Sequence, residues 1–288
     1  MAAAAVLVIA AVVAATVQMW PGTRTDPART ALAGHPGHVS HQARRSPSAA
    51  PSTVPASTPP ATRSAPAQPL AGKVVGIDPG HNGGNAADPG YINQTIWNGR
   101  ENETCDTTGT QTDAGYTEAR YNFNVAQYLR ADLHRAGARV VMTRYGNDGV
   151  GPCVTRRAAI LNHAHANVAI DIHADGGPAW GRGFTVLEPV ADGPNDKVIA
   201  SSDRFGGDVR RAMIGGTSMP VSNYYGHDGL QARGDLAGLN LTTVPKVLIE
   251  CGNMRNAADA ALLTTARFQR QVAAALTAAI TRFLTHGA

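Results

Sequence analysis

The main part of this sequence lacks a net charge. Of 25 basic and 21 acidic residues, the first 72 residues hold five basic and one acidic residue, which leaves 20 of each sign in residues 73–288. The sequence pI of about 9.1 is therefore a property of the leading segment. A domain without a surplus of basic residues does not attract the phosphates of nucleic acid, so we expect no nucleic-acid partner. The basic leading segment could at most contact anionic polymers.

Charged residues are also missing from the start of the chain, where the first one is Arg24. Residues 1–20 are almost all Ala, Val, Ile, Leu or Met. This composition is typical of the apolar part of an export signal, although the usual basic n-region is absent. Small residues at Ala31 and Ala33 offer a cleavage site. We therefore predict a signal peptide or an uncleaved membrane anchor over residues 1–33, and we expect membrane contact only through that segment.

Aliphatic residues are scarce in residues 34–71, which are rich in Pro, Ser, Ala and Thr. Such a segment buries too little apolar surface to offset the entropy lost on folding, so we predict a disordered linker there. The remaining residues, 72–288, suffice for one sizeable core and leave little room for a second. We therefore expect one folded domain, and a monomer.

Strand and helix patterns alternate along this domain. Apolar, β-branched runs predict strands that begin at Val74 and that cover 139–143, 168–173, 183–189 and 244–249. Apolar side chains at three- and four-residue spacing predict helices over 118–136, 154–166, 195–214 and 259–284, the last as one helix or two. A polar loop, 82–116, follows the first strand, and a loop that long is usually functional. The alternation predicts a single α/β domain with a mostly parallel, twisted sheet flanked by helices on both faces.

Four residues with catalytic or metal-binding side chains fall at the ends of these elements. His81 follows the first strand after the turn Asp78-Pro79-Gly80, Glu118 opens the first helix, His173 ends the third strand and Glu250 ends the last strand. Because the carboxyl ends of parallel strands share one edge of a sheet, these side chains can converge on one cleft. Two imidazoles and one carboxylate are a standard ligand set for catalytic Zn²⁺, and a second carboxylate is then needed to move protons.

Each of these residues also has an ordinary structural interpretation. His81 could belong to a plain loop formed by the Gly-Pro turn. Glu118 could be a favourable charge in the first turn of a helix, Glu250 an ion-pair partner, and His173 a histidine satisfied by hydrogen bonds. Together these interpretations are less attractive. A glutamate that ends the apolar run Val247-Leu248-Ile249 would lie beside the core, where burial of its charge costs free energy and no interaction offsets that cost.

Five motifs, in this order, are similar to those of one enzyme family: Ile77-Asp78-Pro79-Gly80-His81, Gly115-Tyr116-Thr117-Glu118, Thr143-Arg144, Ile170-Asp171-Ile172-His173-Ala174-Asp175 and Pro245-Lys246-Val247-Leu248-Ile249-Glu250-Cys251-Gly252-Asn253. The sequence resembles the zinc-dependent N-acetylmuramoyl-L-alanine amidases, the cell-wall amidase type 3 family. Within the family it resembles secreted mycobacterial and actinobacterial members without a wall-binding domain. The resemblance spans about residues 72–283. It implies a protein secreted to the periplasm or cell wall that hydrolyses the amide between N-acetylmuramic acid and L-alanine in peptidoglycan or muropeptides.

Carried over by motif, the resemblance implies that His81, Glu118 and His173 bind one Zn²⁺ and that Glu250 is the catalytic carboxylate. Two features depart from the family pattern. Asp171 stands where the family usually has a small hydroxyl residue; it shares a strand face with His173 and could be its partner or could perturb the site. The long loop also differs from the shorter loop of many members, which affects the shape of the substrate cleft.

The three cysteines have different expected roles. Cys105 lies in the long loop and Cys153 precedes the second helix; because the chain is predicted to be exported, we expect a disulfide between them. Cys251 is left odd. With His173 as its base it could be the nucleophile of a cysteine hydrolase, which is one alternative function. A noncatalytic peptidoglycan-binding module is another, although Glu250 beside a complete ligand set argues against it.

Arg233 is a candidate substrate-binding residue, placed shortly before the last predicted strand. Its guanidinium could hold a carboxylate of the stem peptide through two parallel hydrogen bonds. An ordinary salt bridge with Asp235 is the alternative.

Overall fold

The computed structural model describes residues 68–286, and a six-stranded sheet forms its centre. In chain order the strands are β1 (Val74–Pro79), β2 (Thr95–Trp97), β3 (Asn102–Thr104), β4 (Arg139–Met142), β5 (Val168–Asp175), β6 (Thr185–Pro189), β7 (Leu230–Arg233) and β8 (Lys246–Asn253). The helices are α1 (Pro89–Ile92), α2 (Glu118–Arg135), α3 (Val154–His163), α4 (Ile199–Gly216), α5 (Ala237–Asn240), α6 (Ala257–Leu263) and α7 (Ala266–His286). The predicted signal segment and most of the predicted linker lie outside the described residues.

The sheet is mostly parallel, as predicted. Its strand order is β4-β1-β5-β8-β6-β7. The first four of these strands pair in parallel, whereas β6 is antiparallel to β8 and carries β7 parallel to itself. The short segment 176–184 leaves β5 and enters β6 at the same edge of the sheet, and without a helical crossover the chain direction must reverse.

Helices cover both faces of the sheet, which confirms the predicted fold class. On one face α2, α4 and α7 enclose the main core, which contains Tyr121, Phe205 and Phe268. On the other face α3 and α5 pack over smaller clusters around Leu161 and Leu239. The carboxyl edge of the sheet lies between these two layers, where open α/β sheets bind their ligands.

Side chains along β8 alternate between the two faces of the sheet, and this alternation decides the layer that each residue contacts. Val247, Ile249 and Cys251 belong to the main core. Because successive side chains of a strand point to opposite faces, Leu248 and Glu250 face the layer of α3 and α5. The apolar run before Glu250 is therefore buried on both sides, as expected for a strand covered by helices on both faces.

Two strands run beyond their predicted ends. The sequence predicts that they stop at His173 and Glu250, but β5 continues to Asp175 and β8 to Asn253. The two strands pair again at these last residues after a register shift, and the N–H of Met254 donates to the carbonyl of Asp175 at 2.7 Å. The predicted ends are wrong because backbone pairing, which the apolar pattern does not record, sets the length of the ladder.

The segment 82–116, predicted as a loop, contains secondary structure of its own. The side chain of Asp88 accepts a hydrogen bond from the N–H of Tyr91 at 2.9 Å and caps α1, with Pro89 at the first helical position. Next, β2 and β3 form an antiparallel hairpin. These elements are too short and too polar for a periodic signal, so the pattern fails to show them.

The folded unit starts slightly earlier than the sequence suggests. Leu70, near the end of the predicted linker, is fully buried, and its N–H donates to the carbonyl of Ala136 at 2.9 Å. Across residues 68–286, none of the helices has the length and apolarity needed to cross a bilayer.

Candidate active site

Two histidines and one glutamate meet at the carboxyl edge of the sheet. His81 follows β1, Glu118 begins α2 and His173 lies in β5. Oε2 of Glu118 is 3.3 Å from Nε2 of His81, and its Oε1 is 2.8 Å from Nδ1 of His173. One donor atom from each residue lies within 4.8 Å of the other two. The structure thus brings together the three predicted ligands, and this group of donor atoms is suited to a metal ion.

Local backbone geometry allows the two imidazoles to approach each other. His81 has a φ of 55°, in the left-handed region that residues with a side chain rarely adopt. Gly80 cannot carry a side chain, because a Cβ there would lie 2.1 Å from the ring of His173. Arg157 fixes the turn by donating to the carbonyls of Pro79 at 2.8 Å and His81 at 2.9 Å. This anchored turn holds the first imidazole in place.

A carboxylate lies behind each imidazole. Oδ1 of Asp106 is 3.2 Å from Nδ1 of His81, and Oδ1 of Asp171 is 3.3 Å from Nε2 of His173. Carboxylates in this position orient the ring and fix the tautomer of a metal-binding histidine. Asp171 is a partner that its strand position suggests. Asp106 lies in the long polar segment, where no sequence pattern points to it.

The site concentrates negative charge around the imidazoles. Burial alone would lower the pKa of His81, but Glu118 and Asp106 raise it to about 9. Burial alone would raise the pKa of Glu118, but the histidines lower it well below its ordinary value. Since carboxylates outnumber imidazoles, the site attracts positive charge, which a divalent cation supplies in place of protons. The chemistry of the donor set therefore fits a metal.

Glu250 stands beside the trio. It is paired in register with His173 across β5 and β8, and its partly exposed side chain lines the cleft. Its Oε2 atom is enclosed and has no hydrogen-bond partner among residues 68–286. Burial raises the pKa of this carboxyl to about 8, against the lowering effect of the histidines. A carboxyl that titrates near neutral pH suits general acid–base chemistry.

A cavity of about 340 Å³ adjoins these residues. His81, His173 and Glu250 form part of its lining, together with the apolar side chains Leu187, Leu236, Leu239 and Leu248. An apolar cavity with a few convergent polar groups is the usual form of a ligand site.

Arg233 also lines this cavity, but its guanidinium is already paired. It is the last residue of β7, and it precedes the last strand, β8, as predicted. Its Nε and Nη2 are each 2.5 Å from a carboxylate oxygen of Asp235, and Nη1 donates to the hydroxyl of Tyr225. The salt bridge considered from the sequence is present, and substrate binding by Arg233 stays a prediction.

Cys105 and Cys153 lie side by side. The N–H of Val154, the residue after Cys153, donates to the carbonyl of Cys105 at 2.8 Å, so the two cysteines are neighbours in space. The structure has them as separate thiols. Their proximity is what a disulfide requires, and the disulfide stays a prediction.

Cys251 faces the main core, away from Glu250 and His173. It is fully buried. Burial raises the pKa of its thiol to about 12. A nucleophilic cysteine needs a lowered pKa and a base within reach, so the cysteine-hydrolase alternative is wrong.

The fold and the site together define a class. The molecule is an α/β protein with two histidines and a glutamate that could hold a metal at the carboxyl edge of its sheet, and with a further carboxyl beside them. This combination is typical of metal-dependent hydrolases.

Comparison with known proteins identifies the family within that class. Residues 75–282 match the family model described as N-acetylmuramoyl-L-alanine amidase. The chain is 40% identical over 229 residues to the N-acetylmuramoyl-L-alanine amidase Rv3717 of Mycobacterium tuberculosis, which covers 77% of this chain and 91% of that protein. The chain belongs to this family.

Solved structures agree with the assignment. The N-acetylmuramyl-L-alanine amidase Ami1 of Mycobacterium smegmatis matches with a TM-score of 0.71 and 38% identity, over 75% of this chain and 99% of that one. The apo form of Ami1 from Mycobacterium abscessus matches with a TM-score of 0.70 and 39% identity, over 75% and 100%. The protein is thus a peptidoglycan N-acetylmuramoyl-L-alanine amidase, and the predicted activity is confirmed over a noncatalytic binding module.

Proposed function

We propose that this amidase holds one Zn²⁺ between His81, Glu118 and His173 and uses Glu250 to move protons. The convergence of the three donor atoms within 4.8 Å is the observation that supports the proposal most. Two imidazole nitrogens and a carboxylate oxygen form a catalytic zinc set, which leaves a position for water. When bound, Zn²⁺ supplies Lewis acidity that polarises an amide carbonyl and acidifies water.

Metal binding, proton transfer and substrate binding then fall to different residues of the chain. Glu118 is engaged by both imidazoles and by the N–H of Thr110, which donates to its Oε2 at 2.9 Å. Glu250 has an enclosed oxygen without a hydrogen-bond partner in the described part of the chain. We assign to Glu250 the proton of the attacking water, which it passes to the leaving amine of L-alanine. Arg233, in the cavity wall, would bind a carboxylate of the stem peptide.

The substrate sets the proposed location. The amide between N-acetylmuramic acid and L-alanine occurs in peptidoglycan and muropeptides, so the enzyme acts in the periplasm or cell wall. The apolar segment of residues 1–20 supports export. We expect the protein to act as a secreted monomer.

Metal analysis of the purified protein tests the proposal. We expect one Zn²⁺ per chain by mass spectrometry, and loss of L-alanyl peptide release from muropeptides after exhaustive chelation. The far-UV circular dichroism should persist, because the buried core does not depend on a metal. His81→Ala should lose zinc and activity.

Two control variants sharpen this test. His134→Ala changes an exposed histidine of α2 and should keep both zinc and activity. Cys251→Ser should also remain active, since the thiol lies in the core. A preparation that stays fully active after chelation and contains no metal would refute the zinc mechanism.

A further inference from the structure

Behind His173 lies a buried ion pair, formed by Asp171 and Lys246. Oδ1 of Asp171 is 3.3 Å from Nε2 of His173, and its Oδ2 is 3.3 Å from Nζ of Lys246. The same ammonium is 2.9 Å from Oδ2 of Asp78. Lys246 and Asp78 are each 1% exposed and Asp171 is 6% exposed. Charges this deeply buried require mutual compensation, so the three side chains hold one another in place.

One atom of this cluster lacks a partner. Oδ1 of Asp171 is enclosed, and among the residues that the structure describes it makes no hydrogen bond, despite its short distance to the imidazole of His173. An enclosed carboxylate oxygen without a donor is unfavourable and requires an explanation. A neutral imidazole carries one N–H. If Nδ1 of His173 faces a cation, the proton must be on Nε2, and Asp171 is the acceptor placed to receive it.

The other histidine shows the same arrangement. Oδ1 of Asp106 is 3.2 Å from the outer nitrogen of His81, and its Oδ2 is 3.2 Å from Nη2 of Arg157. Nη1 of Arg157 is in turn 3.0 Å from Oδ1 of Asp78. Each imidazole is therefore backed by a carboxylate, and each carboxylate by a buried cation. The two cations share one further carboxylate, that of Asp78.

We propose that Asp171 is a positioning residue for His173, and that Lys246 acts through Asp171. Asp171 accepts the Nε2–H of His173, so that the lone pair of Nδ1 is available to the metal that His173 would share with Glu118. Lys246 holds the carboxylate at that position in the apolar interior. The inference rests on the proposed function, because it assumes that His173 is a zinc ligand. Lys246 is the first residue of β8, and it does not belong to the lining of the cleft.

Zinc affinity of the full-length protein, measured by competition with a chromophoric chelator, tests the inference. We expect Asp171→Ala to raise the Kd for Zn²⁺ about 10- to 100-fold, the usual effect of removing the partner behind a ligand. Asp171→Asn keeps an acceptor for the Nε2–H and should recover at least part of the affinity. Lys246→Met should also weaken zinc binding. Asp208→Ala is the matched control, because Asp208 is similarly buried but is paired with Arg282 between α4 and α7.

A double variant keeps the test informative if a single substitution prevents folding. Asp171→Ala with Lys246→Met removes both charges, so that neither is left unpaired, and it should fold and still bind zinc weakly. Zinc affinity of the double variant or of Asp171→Ala within about threefold of the parent would overturn the inference. An Asn variant as weak as the Ala variant would also overturn it, since the hydrogen bond would then play no part.

A different set of outcomes would refute the proposed zinc site itself. In that case the parent protein would bind no zinc, or His173→Ala would bind it as tightly as the parent. A parent that binds zinc, a His173→Ala variant that does not, and unchanged Lys246→Met and Asp171→Ala variants would reject the positioning role alone.

Discussion

His173 and Glu250 face each other across two neighbouring parallel strands, as register partners of β5 and β8. Adjacent strands are about 4.8 Å apart, so this pairing sets a candidate metal ligand and a candidate acid–base residue side by side without any contribution from a loop. Both side chains leave the same face of the sheet. The rigid sheet therefore fixes the spacing between the candidate metal ligand His173 and the candidate acid–base residue Glu250.

Glu250→Gln should separate proton transfer from metal binding. Glutamine keeps the size and polarity of the side chain but cannot take up a proton, so kcat should fall by about 10²- to 10⁴-fold. Zinc content, Tm and muropeptide affinity should stay near the parent values. Loss of zinc would instead show that Glu118 and Glu250 have exchanged roles. Release of L-alanyl peptides at the parent rate would refute the assignment of the base.

Cys105 and Cys153 should be oxidised in protein produced under oxidising conditions. The bridge would close a loop of about 48 residues, for which the chain-entropy model gives roughly 4 kcal/mol of stabilisation. Thiol titration of the unfolded, unreduced protein should find one free thiol, that of Cys251. Cys153→Ser should have two free thiols and a lower Tm. Three free thiols in the oxidised parent would contradict the prediction.

Arg233→Lys should raise the KM for muropeptides about tenfold and leave kcat nearly unchanged, if the guanidinium binds a stem-peptide carboxylate. A lysine ammonium cannot form two parallel hydrogen bonds to a carboxylate. Steady-state kinetics with muropeptides of defined stem length would measure this. Arg210→Lys, in a surface ion pair with Asp228, is the control. An unchanged KM would leave Arg233 with a structural role, through its pair with Asp235.

Glu188→Gln should stabilise the protein at pH 8 more than at pH 5. Burial of Glu188 in β6, with a further contribution from Asp203, raises its pKa from 4.5 to about 7. A raised carboxyl pKa means that the folded state binds the proton more tightly than the unfolded state. The parent therefore loses stability as pH rises from 4.5 to 7, whereas the glutamine variant does not. Because the group is partly exposed and therefore screened by solvent, we expect a gain of about 1 kcal/mol at pH 8.

Thermal unfolding of the parent and of Glu188→Gln at both pH values measures this difference. Glu101→Gln, at an exposed position in the β2–β3 hairpin, is the matched control for the same change of side chain at the surface. Equal stability differences at pH 5 and pH 8 for the Glu188 variant would contradict the raised pKa.

Long, periodic segments of the sequence predicted most of the fold. The helix that begins at Glu118 and the strands that begin at Val74 and Val168 appear close to their predicted bounds, because the core they enter requires regular apolar spacing. The pattern missed β7 and α5, which have four residues each and little periodicity. Short elements are held by neighbours in space, and a local pattern does not contain that information.

Within the site, motifs in the sequence predicted the candidate ligands, the candidate acid–base residue and Asp171, but they did not point to Lys246 or Asp106. Lys246 lies in a run predicted as an apolar strand, where a fully buried lysine has no local explanation. Its ion pairs with Asp78 and Asp171 exist only because β1, β5 and β8 are neighbours in the sheet. The same holds for Asp106, which long-range folding of a polar segment brings to His81.

By itself, the sequence determined the donor types and their order: a histidine after the first strand, a glutamate at the start of a helix, and a histidine and a glutamate on two later strands. Those positions follow from strand and helix patterns, which are local. Tertiary structure alone decided that His173 and Glu250 share a register, that Cys251 faces the core, and that a chain of buried charges backs both imidazoles. These features depend on strand order and pairing, which the whole chain sets as it packs around one core.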